Sequence, residues 1–256
     1  MAYSKGSVDC WVMLDAYNLS KTFGSLEVTR DVSLHVGEGA RHALIGPNGA
    51  GKTTIFNLLS GEMFADSGSI TLDGKNITTH PSHKRAQAGM ARSFQGNNLF
   101  PEFSVLKNIM LALVASHGLV ADLWRRLDKD KTLRDDAISV AELVGLADVL
   151  EKPVRDLPYG SQRQLEVGLV LALSPKVLLL DEPTAGMSPA ETKRMLSIID
   201  NLPSALAILI VEHDMDVVFQ VSRWMTVLDE GTVLFEGTPD EVRKSEVVRS
   251  KYLREF

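Results

Sequence analysis

One run of residues constrains this chain more than any other feature: Gly46-Pro47-Asn48-Gly49-Ala50-Gly51-Lys52-Thr53 matches G-x-x-x-x-G-K-[ST] with no departure. Its context is the one its chemistry requires. An apolar run, Ala43 to Ile45, precedes it, and an apolar helical pattern, Lys52 to Ser60, follows. Glycines permit backbone conformations in which successive N–H groups converge on phosphate oxygens. The start of the following helix adds partial positive charge. Lys52 is therefore expected to reach the β- and γ-phosphates of a nucleotide, and the Thr53 hydroxyl to ligate Mg²⁺. Thr54 is placed to donate a further hydrogen bond to phosphate. A chance glycine-rich turn would produce the pattern in on the order of 1% of chains this long. Nucleotide binding is the reading that follows.

A second centre lies further along. Val177-Leu178-Leu179-Leu180-Asp181-Glu182 is an apolar strand that ends in two acids. Adjacent carboxylates at the end of a buried strand each need water, a partner or a metal. By itself the pattern is equally a solvated strand end. With a phosphate loop in the same chain, Asp181 is assigned to the Mg²⁺ shell and Glu182 to the attacking water, as in ATP hydrolysis.

The bulk properties narrow the class. Among 256 residues, 45% are hydrophobic and 23% charged, and the net charge is -6. This is an ordinary globular composition, and the acidic balance argues against nucleic acid as a partner. Cys10 is the single cysteine, so neither a disulfide framework nor a multi-cysteine metal site forms within the chain. Met1 to Trp11 lacks the basic and apolar stretches of a secretory leader. No window approaches the roughly 18 apolar residues of a spanning helix. The chain is expected to be soluble alone and to reach a membrane only through a partner.

Patterning divides the chain into strand-rich and helix-rich parts. Strands are expected at Trp11 to Leu14, Asp31 to Val36, Arg41 to Ile45, Ser69 to Leu72 and Met90 to Phe94, with a turn over Gly37 to Gly39. From about Gly96 to Leu157 the period becomes helical. There Leu133, Ala137, Val140, Ala141 and Val144 share one apolar face, behind a capping box expected at Thr132-x-x-Asp135. Beyond Gly160, helices at Gln162 to Leu173 and Ala190 to Leu202 alternate with apolar strands at Val177 to Leu180 and Leu206 to Val211. That alternation implies a parallel sheet covered on both faces. Trp224 to Leu228 and Thr232 to Glu236 read as a hairpin near the sheet edge, and Pro239 to Phe256 as a polar helical tail. The histidines at 35, 42, 80, 83 and 117 show no ligand spacing.

Together these motifs resemble the ABC transporter ATPases over nearly the whole chain. The resemblance implies an α/β fold: a P-loop NTPase core, mostly parallel with an antiparallel β region, over residues 1–95 and 161–256, and an inserted helical subdomain over 96–160. Gln95 in Ser93-Phe94-Gln95 is similar to the family's Q-loop glutamine, which contacts Mg²⁺ and couples to the membrane subunit. Asp181-Glu182-Pro183-Thr184 matches the extended Walker B motif, His213 resembles the switch histidine at the γ-phosphate, and Phe23 the aromatic that stacks on adenine. Glu182, His213 and Lys52 are the implied catalytic residues. Thr53, Gln95 and Asp181 are the implied Mg²⁺ ligands.

Two positions depart from the family pattern. Leu157-Pro158-Tyr159-Gly160-Ser161 stands where the signature usually reads Leu-Ser-Gly-Gly-Gln, and Pro158 supplies neither the usual hydroxyl nor a backbone N–H. Tyr159, Gly160 and Ser161 are left to meet the nucleotide of an opposite subunit, with Ser161 and Gln164 expected to cap the next helix. Ser188 stands where the D-loop usually carries aspartate. A tyrosine in the signature, as at Tyr159, and Gly-Met-Ser-Pro, as at Ser188, are common in the branched-chain amino acid uptake group, which this chain also resembles in Ala91-Arg92-Ser93-Phe94-Gln95 and in Gly186-Met187-Ser188-Pro189. That likeness implies an ATPase on the cytoplasmic face of the cell membrane. Its partners would be membrane subunits, a second similar ATPase and, indirectly, a periplasmic solute-binding protein. Urea or amide import, other amino acids, lipopolysaccharide export and a soluble non-transport ATPase remain the alternatives from the sequence.

Overall fold

The computed structural model describes residues 12–93, 99–116 and 130–252. Two sheets organise them. The larger has six strands in the order β10-β9-β3-β8-β7-β6: β3 (Arg41–Ile45), β6 (Met90–Arg92), β7 (Val177–Asp181), β8 (Ala207–Val211), β9 (Trp224–Asp229) and β10 (Thr232–Gly237). Neighbours from β9 to β6 run parallel, and only the edge hairpin β9–β10 is antiparallel. The smaller sheet is antiparallel, in the order β2-β1-β4-β5. It comprises β1 (Val12–Phe23), β2 (Leu26–Gly37), β4 (Ser67–Leu72) and β5 (Lys75–Asn76).

Side-chain alternation sends the large sheet's apolar residues to two cores. Ala43, Ile45, Leu178, Leu180, Ile208 and Ile210 face one side, packed with helices α3 (Val105–Ser116), α4 (Lys131–Leu143), α5 (Tyr159–Leu171), α6 (Pro189–Asn201) and α7 (Met215–Val221). Leu44, Val177, Leu179, Leu209 and Val211 face the other, against α1 (Lys52–Ser60) and the small sheet. Continuous burial along β3, β7 and β8 explains why these strands read as unbroken apolar runs rather than as alternating ones. A short helix α2 (Ser82–Gln87) follows the small sheet, and α8 (Pro239–Lys244) and α9 (Glu246–Lys251) form the tail.

Three local expectations change. The first strands are far longer than the apolar runs that mark them, because β1 and β2 pair as a long hairpin through polar residues such as Lys21 and Thr29. Helix α4 is capped by Asp130, whose carboxylate accepts from the Leu133 N–H, so Thr132 lies inside the first turn and forms no capping box. Helix α5 begins at Tyr159, with Pro158 at its N-cap and no side-chain cap. Ser161 is thus already helical, and it does not cap with Gln164. The apolar face of α4, from Leu133 to Val144, is buried as its period predicts.

Candidate active site

The phosphate loop leaves the end of β3 and turns into α1. Gly46 has a φ of 149°, and a Cβ there would stand 2.2 Å from the Leu228 carbonyl oxygen. Glycine is required by close approach as well as by backbone freedom. Gly51, at φ 99°, caps the helix without a side chain. The amides of the first helical turn are therefore left open to an anion. Lys52 is buried, and its ammonium donates to the carbonyls of Gly46 at 2.6 Å and Pro47 at 2.9 Å. Burial lowers its pKa, and the negative charge of Glu182 works against that shift. The loop thus folds around its own lysine, which is available to exchange these carbonyls for phosphate oxygens.

Across from the loop stand the ends of β7 and β8. A cavity of about 190 Å³ lies between them, lined by Asn48, Lys52, Thr53 and Thr54 on one side and by Glu182 and His213 on the other. His213 Nε2 is 2.9 Å from Glu182 Oε1. Glu182 takes a φ of 48°, held by its N–H donating to the Val211 carbonyl at 2.8 Å. Asp181, one residue earlier, is buried and bound by Arg92, whose Nη2 donates to Oδ2 at 2.7 Å. Asn48, Gly49, Gly51, Lys52, Thr53, Thr54, Glu182 and His213 thus line one cavity, while Asp181, Gly46, Pro47 and Ala50 are not among its lining residues. Phe23 sits at the end of β1, 46% exposed, with the Lys21 ammonium 5.9 Å from its ring centre. It is open to a flat ligand and lies outside the cavity lining. Gln95 falls outside the described residues.

The donor chemistry fits a hard cation. Thr53 offers a hydroxyl and Asp181 a carboxylate. Among the described residues no group of three or more His, Cys, Asp or Glu is arranged to hold a metal. A Mg²⁺ here would be held by these two oxygen ligands and by the phosphates of the substrate, the usual mode for this ion.

The signature loop is engaged within the chain. The Tyr159 hydroxyl donates to the Ala185 carbonyl at 3.2 Å and accepts from Arg163 Nε at 2.8 Å. The Gly160 N–H donates to Glu191 Oε1 at 3.0 Å. Glu191 also closes a capping box with Ser188 at the start of α6. These hydrogen bonds hold its carboxyl below the ordinary range. Ser188 therefore serves as the N-cap of α6, and Gly160's donor is occupied by a carboxylate.

Sequence reasoning missed three groups here. Besides Arg92 and Glu191, Glu212 is buried and accepts at Oε1 from the Thr184 N–H (2.8 Å) and hydroxyl (2.6 Å), tying the residues after β7 to the residue before His213. Each is a charge placed inside or beside a recognised motif, which is the one signal the sequence carried.

A second cavity, about 270 Å³, opens between the C-terminal end of α1, α2, β6 and helices α3 and α5. Its wall is mostly apolar, with Ala86, Met90 and Leu169 prominent, and Arg92, Glu62 and Glu166 supply charge at its edge. Burial raises the pKa of Glu166, and the partnered Arg163 opposes the shift.

Comparison with known proteins accounts for this arrangement. Residues 29–185 match the ABC transporter family. The chain belongs to that family. It is 36% identical over 253 residues to the high-affinity branched-chain amino acid transport ATP-binding protein BraF of Pseudomonas aeruginosa, and 38% identical to LivG of Salmonella typhimurium. In each case 95% of this chain and 98% of the relative are covered. A lipopolysaccharide export ATP-binding protein, LptB of Haemophilus influenzae, is 34% identical over 245 residues, covering 95% of this chain and 98% of the relative. The ADP conformation of the ABC transporter cassette MJ1267 superposes with a TM-score of 0.83 at 26% identity, covering 95% of this chain and 99% of that one. This chain is accordingly an ATP-binding, ATP-hydrolysing cassette of the ABC type. Among its described residues no helix is long and apolar enough to cross a membrane.

Proposed function

We propose that this chain powers import of branched-chain amino acids through separate membrane subunits, working from the cytoplasmic face of the membrane beside a second ATPase of similar fold. The observation that carries the reading is the pairing of Glu182 with His213 at 2.9 Å across one cavity from Lys52. It supports reading Glu182 as a general base opposite the group that binds phosphate. The cargo assignment is supported by 36–38% identity to branched-chain amino acid transport ATPases along nearly their whole length.

In this reading the amides of the phosphate loop and Lys52 bind and orient the phosphates of ATP. Glu182 accepts a proton from the attacking water, and His213 holds the Glu182 carboxylate in place. Thr53 and Asp181, with Gln95 by family resemblance, would hold Mg²⁺, which supplies charge neutralisation at the β- and γ-phosphate oxygens. Phe23 stacks on the adenine. Residues 96–160, of which 99–116 and 130–160 are described, serve as the subdomain that meets the membrane subunits, and Tyr159, Gly160 and Ser161 in the first turn of α5 face the nucleotide bound by the partner ATPase. Glu191 must then release the Gly160 N–H when the two ATPases close.

Uptake of labelled amino acids and amides by cells carrying Lys52→Ala tests the cargo. Selective loss of leucine, isoleucine and valine uptake is expected. Unchanged uptake of these three alongside loss of another solute, or of lipopolysaccharide export, would overturn the branched-chain reading and leave the ATPase in place.

A further inference from the structure

Arg92 is the one charged residue in the run Met90-Ala91-Arg92-Ser93. It ends β6, where it is in register with Leu179 of β7, two residues before Asp181. Its side chain is 11% exposed and that of Asp181 2%, so the two charges meet largely out of water. Arg92 Nη2 donates to Asp181 Oδ2 at 2.7 Å. The other arm, Nη1, lies 2.7 Å from Asn57 Oδ1, 3.2 Å from Ser60 Oγ and 3.1 Å from Glu62 Oε2. The guanidinium carbon sits 5.7 Å from the centre of the Phe56 ring.

This geometry has a consequence for the cation. A guanidinium is planar and rigid, so anchoring Nη1 fixes where Nη2 points. Asn57 and Ser60 lie on the C-terminal half of α1, the same helix whose first turn carries Thr53. Asp181 comes from a different strand, 128 residues further along the chain than Thr53. Arg92 is the bridge that sets one oxygen ligand against the helix bearing the other.

We propose that Arg92 is a positioning residue for ATP hydrolysis, holding the Asp181 carboxylate in register with α1 so that Asp181 and Thr53 together receive a divalent cation. The proposal rests on the reading of Asp181 as a ligand of the metal shell. Groups that orient a metal's ligands typically change its affinity by ten- to a hundredfold when removed. A buried carboxylate stripped of its counter-charge also loses the reason to stay where it is.

The test is calorimetric binding of ADP to the full chain, with Mg²⁺ and separately with EDTA. Arg92→Gln is expected to weaken binding about tenfold in Mg²⁺ and to leave binding in EDTA unchanged. Arg92→Lys keeps the charge without the fork and is expected to fall between. Equal or tighter binding of Arg92→Gln in Mg²⁺ would overturn the proposal. So would an equal fall in EDTA, which would mark a purely structural role. If Arg92→Gln does not fold, the lysine variant decides, and a Mg²⁺ response matching the unmodified chain overturns the idea. Asp181→Asn separates the two readings: an unchanged Mg²⁺ response there removes Asp181 from the metal shell itself.

Discussion

Glu182 adopts the left-handed conformation, with a φ of 48°, which costs a residue bearing a Cβ about 1–2 kcal/mol. Strain of this kind persists only where surrounding contacts over-determine it, and it gathers at functional positions. Here the Val211 carbonyl fixes the Glu182 N–H and His213 fixes its carboxylate. Removing the imidazole should therefore free the carboxylate without touching the phosphate loop. For His213→Ala we expect ATP hydrolysis to fall about a hundredfold or more, with ATP affinity changed by no more than a few-fold. Steady-state phosphate release beside equilibrium nucleotide binding checks this. At this scale the sequence was most legible in placement, since Lys52 and Glu182, far apart in the chain, line one cavity. It was least legible where meaning depends on a distant partner. Arg92 is defined by Asp181 and Asn57, and Glu191 by Gly160. Neither relation leaves a mark in local spacing.

Helix α1 links the elements of the site, and its far end is held by a buried arginine. Arg85 on α2 is fully buried and donates to the carbonyls of Leu58, Leu59, Thr78 and His80. Two of these are the otherwise unpaired carbonyls in the last turn of α1. Burial lowers the Arg85 pKa to about 10, so it remains charged at neutral pH. Arg85→Ala would strand these carbonyls in a space no longer filled, and we expect a loss of about 3–4 kcal/mol, read as a fall in the urea midpoint. A smaller effect belongs to Ser188, whose hydroxyl caps α6. Ser188→Ala should cost about 1 kcal/mol. Helix and strand identities were legible from hydrophobic period, including the edge hairpin β9–β10. Helix starts were not: Asp130 rather than Thr132 caps α4, because a cap depends on where the chain enters the helix and not on residue type alone.

Across the whole molecule the large sheet separates two apolar cores, and its central strand β3 carries a buried histidine. His42 Nε2 lies 2.8 Å from the Thr226 hydroxyl, which donates in turn to Glu236 on β10. Burial holds the His42 pKa at about 4, below its ordinary 6.5. Between those values the unfolded chain binds a proton that the folded chain does not. Stability from this group is thus fully present above about pH 6.5 and is lost as pH falls toward 4, by about 3 kcal/mol at most. Melting temperature should drop between pH 7 and pH 5 in the unmodified chain, and the drop should be shallower in His42→Gln. The layered α/β plan was legible in the sequence because unbroken apolar strands alternate with helices. The extent of the small sheet was not, since β1 and β2 run through polar residues that gain their place only by pairing with each other.

In the proposed mechanism Lys52 binds the nucleotide, and Glu182, lining the same cavity, drives its hydrolysis. The most direct test measures ATP binding and phosphate release for Glu182→Gln beside the unmodified chain. Binding within a few-fold of normal and hydrolysis reduced by about 10²–10⁴ are expected, with ATP-bound dimers accumulating. Hydrolysis at the unmodified rate would remove Glu182 from the catalytic role.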